Sequence, residues 1–180
     1  AYIGLTSISH RLMVYFRHMK RNIKYRKAFL LDCLFLYRLR NQPETYKYFR
    51  NNFPVGFLEH LKWFIKLMIG RSGKHLFIIK LNNERVGQIR FDKIGKNGAE
   101  ISISILKEYK KKGVMSSIFF NVSREYLINN PPIKNLYAHI KLNNIASIIF
   151  FDKMKFKNIG RKGSELVYLK NRDEITNLLK

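Results

Sequence analysis

The sequence predicts one α/β domain, and three observations predict it. The chain has 180 residues, enough for a single domain with a full core. Its composition is 46% hydrophobic and 14% aromatic, too apolar for a disordered chain even at high charge. From Asn22 onward, short strand-like and helix-like segments alternate without repeat or linker. The expected organisation is a basic extension over residues 1–21 and one domain over residues 22–180. No apolar run approaches the roughly 18 residues that a membrane span needs.

Each element has its own signal. Asn22–Lys27 reads as a first strand. Phe29–Arg40 reads as a helix with Leu30, Leu34 and Tyr37 on one stripe. Pro43 interrupts it and starts a short helix, Pro43–Arg50. After Pro54, Leu58–Met68 is a third helical stretch, and Gly70, Ser72 and Gly73 mark a loop. His75–Leu81 and Arg85–Ile94 are strands joined at Asn82-Asn83, a pair that tight hairpins favour. Glu100–Ile105 alternates, with Ile101, Ile103 and Ile105 toward the core and Glu100, Ser102 and Ser104 on the other face. Val114, Ile118, Val122 and Tyr126 recur every four residues, which makes Gly113–Ile128 an amphipathic helix. Pro131-Pro132 ends that region. Leu136–Leu142 is a strand, and Ala146–Met154 is a helix with Ile145, Ile148, Ile149 and Phe156 as core candidates. Lys157–Leu169 is a closing hairpin.

The net charge of +23 attracts polyanions such as nucleic acid, membranes or phosphorylated small molecules. Solvated surface lysines account for it equally well. With 12 carboxylates, the chain is poorly suited to a polyamine substrate. The lone Cys33 cannot form an internal disulfide, so the expected compartment is the reducing cytoplasm. No Cys/His cluster has metal-ligand spacing, and no metal is expected. Residues 1–21 carry Arg11, Arg17, Lys20 and Arg21 around Leu12–Phe16, with no carboxylate. They lack the long apolar core and cleavage site of a signal peptide. A basic helix on a membrane surface and a segment packed on the domain are both open readings.

The informative segment is Ile101–Phe119, ISISILKEYKKKGVMSSIF. A strand ends, a basic loop follows, and Gly113 opens a helix. Unpaired N–H groups at a helix start suit a pyrophosphate. Lys110, Lys111 and Lys112 add cations, and Ser116 and Ser117 add hydroxyls. The bland alternative is a helix that merely begins after a solvated lysine loop. This segment resembles the coenzyme A motif of the GNAT superfamily, Arg/Gln-x-x-Gly-x-Gly/Ala. Lys110 falls at the Arg/Gln position, Gly113 at the first glycine and Met115 at the second small residue, where a side chain threatens the close backbone approach. The backbone N–H groups of Lys111 to Ser116, Val114 included, stay available to the cofactor.

Asn143–Phe156, NNIASIIFFDKMKF, is similar to the later motif of the same superfamily. Asn144, Ser147, Phe151, Lys153 and Phe156 match in register, and Lys155 replaces the usual glycine. The resemblance covers Ile23–Lys170. It implies a mixed, mostly antiparallel sheet whose central parallel pair splays apart, flanked by helices. It also implies an N-acetyltransferase that uses acetyl-coenzyme A as co-substrate. The cofactor arm would lie between Glu100–Ile105 and Leu136–Leu142. Backbone N–H groups near Ile103 and Ile105 would polarise the thioester carbonyl.

Upstream, Leu39–Thr45 and Glu59–Phe64 resemble the RimJ/RimL-like branch, and within it the enzymes that acetylate nucleotide-linked amino sugars, the pseudaminic-acid type among them. Arg40, Asn41 and His60 then fall at acceptor-site positions. Without that resemblance, Arg40 reads as a C-terminal helix charge and His60 as a surface residue. The chemistry needs a base, an oxyanion donor and an acid for the thiolate. Candidate bases are Glu100 and His139. The family's usual acid is a tyrosine at the Phe151 position, and phenylalanine cannot replace it. The expected acceptor is a small-molecule amine, a nucleotide-linked sugar of surface-glycan synthesis. An N-terminal or lysine acetyltransferase of proteins is an alternative. A catalytically weak acetyl-coenzyme A binder and a basic nucleic-acid-associated protein are others.

Overall fold

The computed structural model describes residues 22–49, 51–70 and 73–177, so the predicted extension over residues 1–21 lies outside the described residues. Seven strands form one sheet: β1 Ile23–Lys27, β2 Lys74–Leu81, β3 Glu84–Ile94, β4 Gly98–Ile105, β5 Asn135–Lys141, β6 Lys157–Lys162 and β7 Glu165–Asn171. Their order is β1-β2-β3-β4-β5-β7-β6. Every neighbouring pair is antiparallel except β4 with β5. The helices are α1 Cys33–Arg40, α2 Pro43–Tyr46, α3 Phe57–Met68, α4 Val114–Ile128, α5 Ile145–Lys153 and α6 Arg172–Thr176. No helix among the described residues is long and apolar enough to cross a membrane.

The turn chemistry places the meander. Asn82 and Asn83 both adopt the left-handed conformation, φ 49° and 71°. That is the geometry of a tight hairpin turn, which asparagine tolerates better than most residues. The expected β2–β3 hairpin follows from it.

Two cores flank the sheet. On one face α4 lays Val114, Ile118, Val122 and Tyr126 against the inner side of the sheet, chiefly over β1–β3, and all four are buried. The Tyr126 ring stacks on Phe91 at 4.1 Å. On the other face α1 and α3 place Leu36, Phe64 and Leu67 against Leu76 and Ile78. Asp32 anchors that corner. It is fully buried and takes Arg26 at 2.6 and 2.8 Å and the Phe29 N–H at 3.0 Å.

Several expectations shift. The helix expected over Phe29–Arg40 begins as a 3-10 turn, Leu30–Asp32, before α1. Its buried residues are Leu36 and Leu39, whereas Leu30 and Leu34 are exposed and Tyr37 is half-buried. The stripe follows the face that packs on the sheet, where Leu36 meets Phe64, Leu76 and Ile78. α2 spans one turn, Pro43–Tyr46, shorter than Pro43–Arg50. In α5, Ile145 and Ile149 are exposed and Ile148 is only partly buried, while Phe151 and Phe156 carry the packing. The alternation of β4 holds, but Ile103 and Ile105 are only partly buried.

Candidate active site

The reason for that partial burial is the splay. β4 and β5 pair over only three positions, Gly98↔Asn135, Ala99↔Leu136 and Glu100↔Tyr137. Beyond Glu100, β4 runs on to Ile105 with β3 alone, and β5 runs on to Lys141 with β7 alone. A V opens between them. The Leu106 N–H donates to Val86 O on β3 at 2.8 Å. Strand alternation then turns the N–H and C=O groups of Ile103 and Ile105 toward the V. These groups have no strand to pair with, and an amide-rich chain laid in the V would satisfy them.

At the open end of the V, Gly113 caps α4 with φ 76°. A side chain added at Gly113 would meet no neighbour within 4 Å, so the glycine serves the turn and the open space above it. No side chain caps the helix, and its first internal bond is Ser117 N–H to Gly113 O at 3.1 Å. The N–H groups of Val114, Met115 and Ser116 are therefore left pointing out of a fifteen-residue helix. Lys111 has φ 59°, which curls the loop around this point. Lys111 is exposed, as is Lys112, whose ammonium lies 5.5 Å from the Tyr109 ring centre. Lys110 turns the other way. Its ammonium reaches the Glu44 carbonyl at 3.3 Å, and burial lowers its pKa. The Ser117 hydroxyl donates to Val114 O at 2.9 Å, so of the two expected hydroxyls only that of Ser116 stays uncommitted to the helix backbone.

The departure at Met115 has a structural answer. Its side chain points into the core and lies over Gly87 of β3: a Cβ on Gly87 would come within 2.5 Å of Met115 Cε. The methionine occupies space that a glycine opposite provides, and it leaves the helix start clear of its side chain.

In the second motif, Asn144 caps α5 by accepting the Ser147 N–H at 3.3 Å. Lys153 is exposed at the helix end. Phe151 is buried and sits in an aromatic cluster with Phe119, Phe150, Phe156 and Tyr168. A ring so enclosed is fixed by core packing.

The opposite face of the sheet carries the candidate bases. Glu100 and His139 come together, Oε2 to Nδ1 at 3.4 Å, at the crotch of the V. Ser102 and Ser104 continue that face of β4, and Arg90 donates to the Ser102 hydroxyl at 3.3 Å. Beside them lies a cavity of about 250 Å³. Arg40, His60, Glu59, Trp63, Gln88 and Arg90 are among its lining residues. Arg40 Nη1 and Gln88 Oε1 are both buried without a hydrogen-bond partner. Arg40 lies over the Phe49 ring at 3.9 Å. Burial and the nearby Arg90 charge lower its pKa, against the pull of Glu59.

The three acceptor candidates therefore separate. Arg40 lines the cavity with an unpartnered donor. His60 also lines it, but it is buried against Tyr37, Trp63 and Phe64 and shares a 3.2 Å hydrogen bond with the Cys33 carbonyl. It ties α3 to α1 rather than standing on the surface. Asn41 is committed elsewhere. Its amide donates to Val55 O and accepts from Val55 N–H, both at 2.9 Å, which fixes the loop before α3. Gln88 and Arg90 escaped the sequence reading. Their signal was the polar i, i+2 run Gln88, Arg90, Asp92 alternating with Ile89 and Phe91, which marks a polar face. Lys141 was also missed. It reaches from β5 to the carbonyls of Lys47 and Phe49 and to the Asn52 side chain. Among the described residues, no group of His, Cys, Asp or Glu could hold a metal ion.

A sheet splayed at its one parallel pair, with an uncapped helix N-terminus at its open end, defines an acyl-transferase site. Residues 25–157 match the family model of the acetyltransferase (GNAT) domain, and the chain belongs to that family. It is an N-acetyltransferase with acetyl-coenzyme A as acetyl donor. Solved structures agree on the fold. A domain from Methanocaldococcus jannaschii is 27% identical with a TM-score of 0.72, covering 84% of this chain and 99% of that one. The aminoglycoside acetyltransferase AAC(6')-Ib in complex with coenzyme A is 13% identical, with a TM-score of 0.75 over 88% of this chain and 100% of that one. RimL, a ribosomal L7/L12 α-N-protein acetyltransferase, is 17% identical with a TM-score of 0.71 over 84% and 95%. No curated protein matches the sequence.

Proposed function

We propose that this enzyme acetylates a primary amine on an anionic small molecule, a nucleotide-linked amino sugar of the surface-glycan type. The observation that carries the reading is the cavity with two arginines, one bearing a buried, unpartnered guanidinium N–H. A buried guanidinium N–H without a hydrogen-bond partner is costly, and a phosphate oxygen would satisfy it with a charge-assisted bond. The net charge of +23 draws such an acceptor in and repels a polyamine, although a spermidine N-acetyltransferase from Vibrio cholerae shares the fold at 17% identity.

The residues then divide the work. The N–H groups of Val114 to Ser116, with Lys111 and Lys112 beside them, hold the cofactor pyrophosphate. Ile103 and Ile105 offer their backbone groups to its amide arm, and an N–H of one of them stabilises the oxyanion. Glu100 and His139 form the proton-accepting pair for the acceptor amine. Lys110 braces the loop against the Glu44 carbonyl, Asn144 caps α5 and Phe151 packs on Phe119 behind them. Phe151 supplies no proton, so the thiolate takes one from water.

An acetyl-transfer screen over nucleotide-linked amino sugars and N-terminal peptides, read by thiol release, tests this. Arg40→Ala should raise KM for the sugar about 10- to 150-fold, as loss of a charged hydrogen bond does, with KM for acetyl-coenzyme A unchanged. Turnover of peptides alone, or a parallel rise in both constants, would remove the nucleotide-sugar reading. The first result would favour the protein-acetylating alternative.

A further inference from the structure

α1 and α3 lie side by side on the sheet, joined by the His60–Cys33 hydrogen bond and the Tyr37–Phe57 ring contact. Their buried residues, Leu36 and Leu39 on α1 and His60, Phe64 and Leu67 on α3, point at the sheet. Helix periodicity then sends Leu34 and Arg38, and Leu58, Lys62, Ile65 and Ile69, straight outward. With Leu30 and Leu31 ahead of α1, the aliphatic members of this face are between 47% and 76% exposed. Arg38, Lys62 and Lys66 are exposed among them. Over residues 22–40 and 57–70 the carboxylates are Asp32, which is buried in its ion pairs, and Glu59, which lines the cavity. The face is aliphatic and cationic at once.

We infer that this face docks on an anionic lipid bilayer. Two-fold self-association would set Arg38, Lys62 and Lys66 of one copy against the same cations of the other, because an isologous interface repeats one patch on both sides. Nucleic acid would engage the cations, but Leu and Ile gain nothing against phosphates, and single-strand binding faces carry aromatic stacking platforms. A bilayer with anionic headgroups satisfies both halves. The cations meet lipid phosphates while Leu34, Leu58, Ile65 and Ile69 reach the acyl boundary. The overall charge steers the protein to that surface.

The test uses the full chain and sedimented phosphatidylcholine vesicles with and without phosphatidylglycerol. Wild-type protein should bind only the anionic vesicles, and salt should weaken the binding. Lys62→Gln/Lys66→Gln should bind roughly 25-fold more weakly, about fivefold per cation. Ile65→Glu/Ile69→Glu should bind at least about tenfold more weakly with an unchanged thermal midpoint. Ile65→Ser/Ile69→Ser repeats the test should the glutamate pair not fold. Lys157→Gln/Lys162→Gln, on exposed β6, removes the same charge from a remote strand and should change binding less than about twofold. Equal loss in that control would reduce the effect to bulk charge and overturn the proposal. So would equal binding to neutral vesicles, a dimer that the glutamate pair splits in sedimentation equilibrium, or single-stranded RNA binding that the same pair abolishes.

Discussion

Gly87 and Met115 are one decision made at two places in the chain. The α4 loop accepts a methionine at its second small position because the strand beneath it is bare at Gly87. A Cβ there would meet Met115 Cε at 2.5 Å and the Ser104 carbonyl oxygen at 2.6 Å. The first contact involves a flexible tip, but the second is backbone and cannot yield without moving β4. Gly87→Ala should therefore destabilise by about 1–3 kcal/mol, as overpacking does, and raise KM for acetyl-coenzyme A, because β4 forms one wall of the V. Chemical denaturation with steady-state kinetics measures both. A neutral substitution would mean that β3 and β4 can separate without consequence. The second residue-level expectation concerns the pair at the crotch. Glu100→Gln should lower kcat by about 10²-fold or more if its carboxylate takes the proton, with little change in KM for acetyl-coenzyme A. The same loss in His139→Gln, and no further loss in the double variant, would show that the two act as a unit.

The elements α1 and α3 pack through apolar side chains around a buried histidine whose neutral form the fold favours. Burial, opposed by the Cys33 hydrogen bond and aided by the Arg40 charge, holds the His60 pKa below its usual value. Burial and the Lys27 charge do the same for His75 on β2. The folded protein thus keeps both rings neutral at a pH where the unfolded chain protonates them. Their contribution to stability is complete above the unfolded value of about 6.5 and declines as pH falls through it toward the lower folded values. The thermal midpoint should drop between neutral pH and about pH 5, and the slope should flatten in His60→Gln/His75→Gln. An unchanged slope in the double variant would assign the pH dependence to other groups. Asp32 acts in a separate window. Burial pushes its carboxyl up, but the Arg26 hydrogen bonds, the Phe29 N–H, the Arg26 charge and Arg85 outweigh it and bring the pKa below its usual value. That contribution is present above about pH 4 and is lost only in stronger acid.

For the molecule as a whole, the expectation is linkage to the cofactor. Acetyl-coenzyme A binds the folded state, so it should raise the thermal midpoint by mass action, by about 2.7 kcal/mol of stability at a concentration 100 times Kd. Gly113→Asp should abolish the shift for two reasons. It places a carboxylate where the pyrophosphate is held, and it puts a side chain on a φ of 76°. Gly113→Asn separates them, since it keeps the backbone cost without the charge. A shift that survives in Gly113→Asp would move the pyrophosphate site away from the α4 N-terminus.

Much of the architecture was legible along the chain, because local rules decided it. Strand alternation over β4, the Asn82-Asn83 turn, the four-residue apolar rhythm of α4 and the glycine before it are properties of neighbouring residues. The structure repeats them almost to the residue. The two motifs that carry the proposed cofactor site are likewise legible, since a loop and a helix start are contiguous in sequence. The proposed acceptor side was not legible in that way. Its cavity takes Arg40 from α1, His60 and Trp63 from α3, and Gln88 and Arg90 from β3. Which of these remains unpartnered depends on contacts between elements: Asn41 is bound to Val55, His60 is tied to Cys33, and Arg40 Nη1 has no partner. Residue type alone ranked these three equally. Tertiary packing ranked them differently, because hydrogen-bond partners and burial are set by chain segments far apart in sequence.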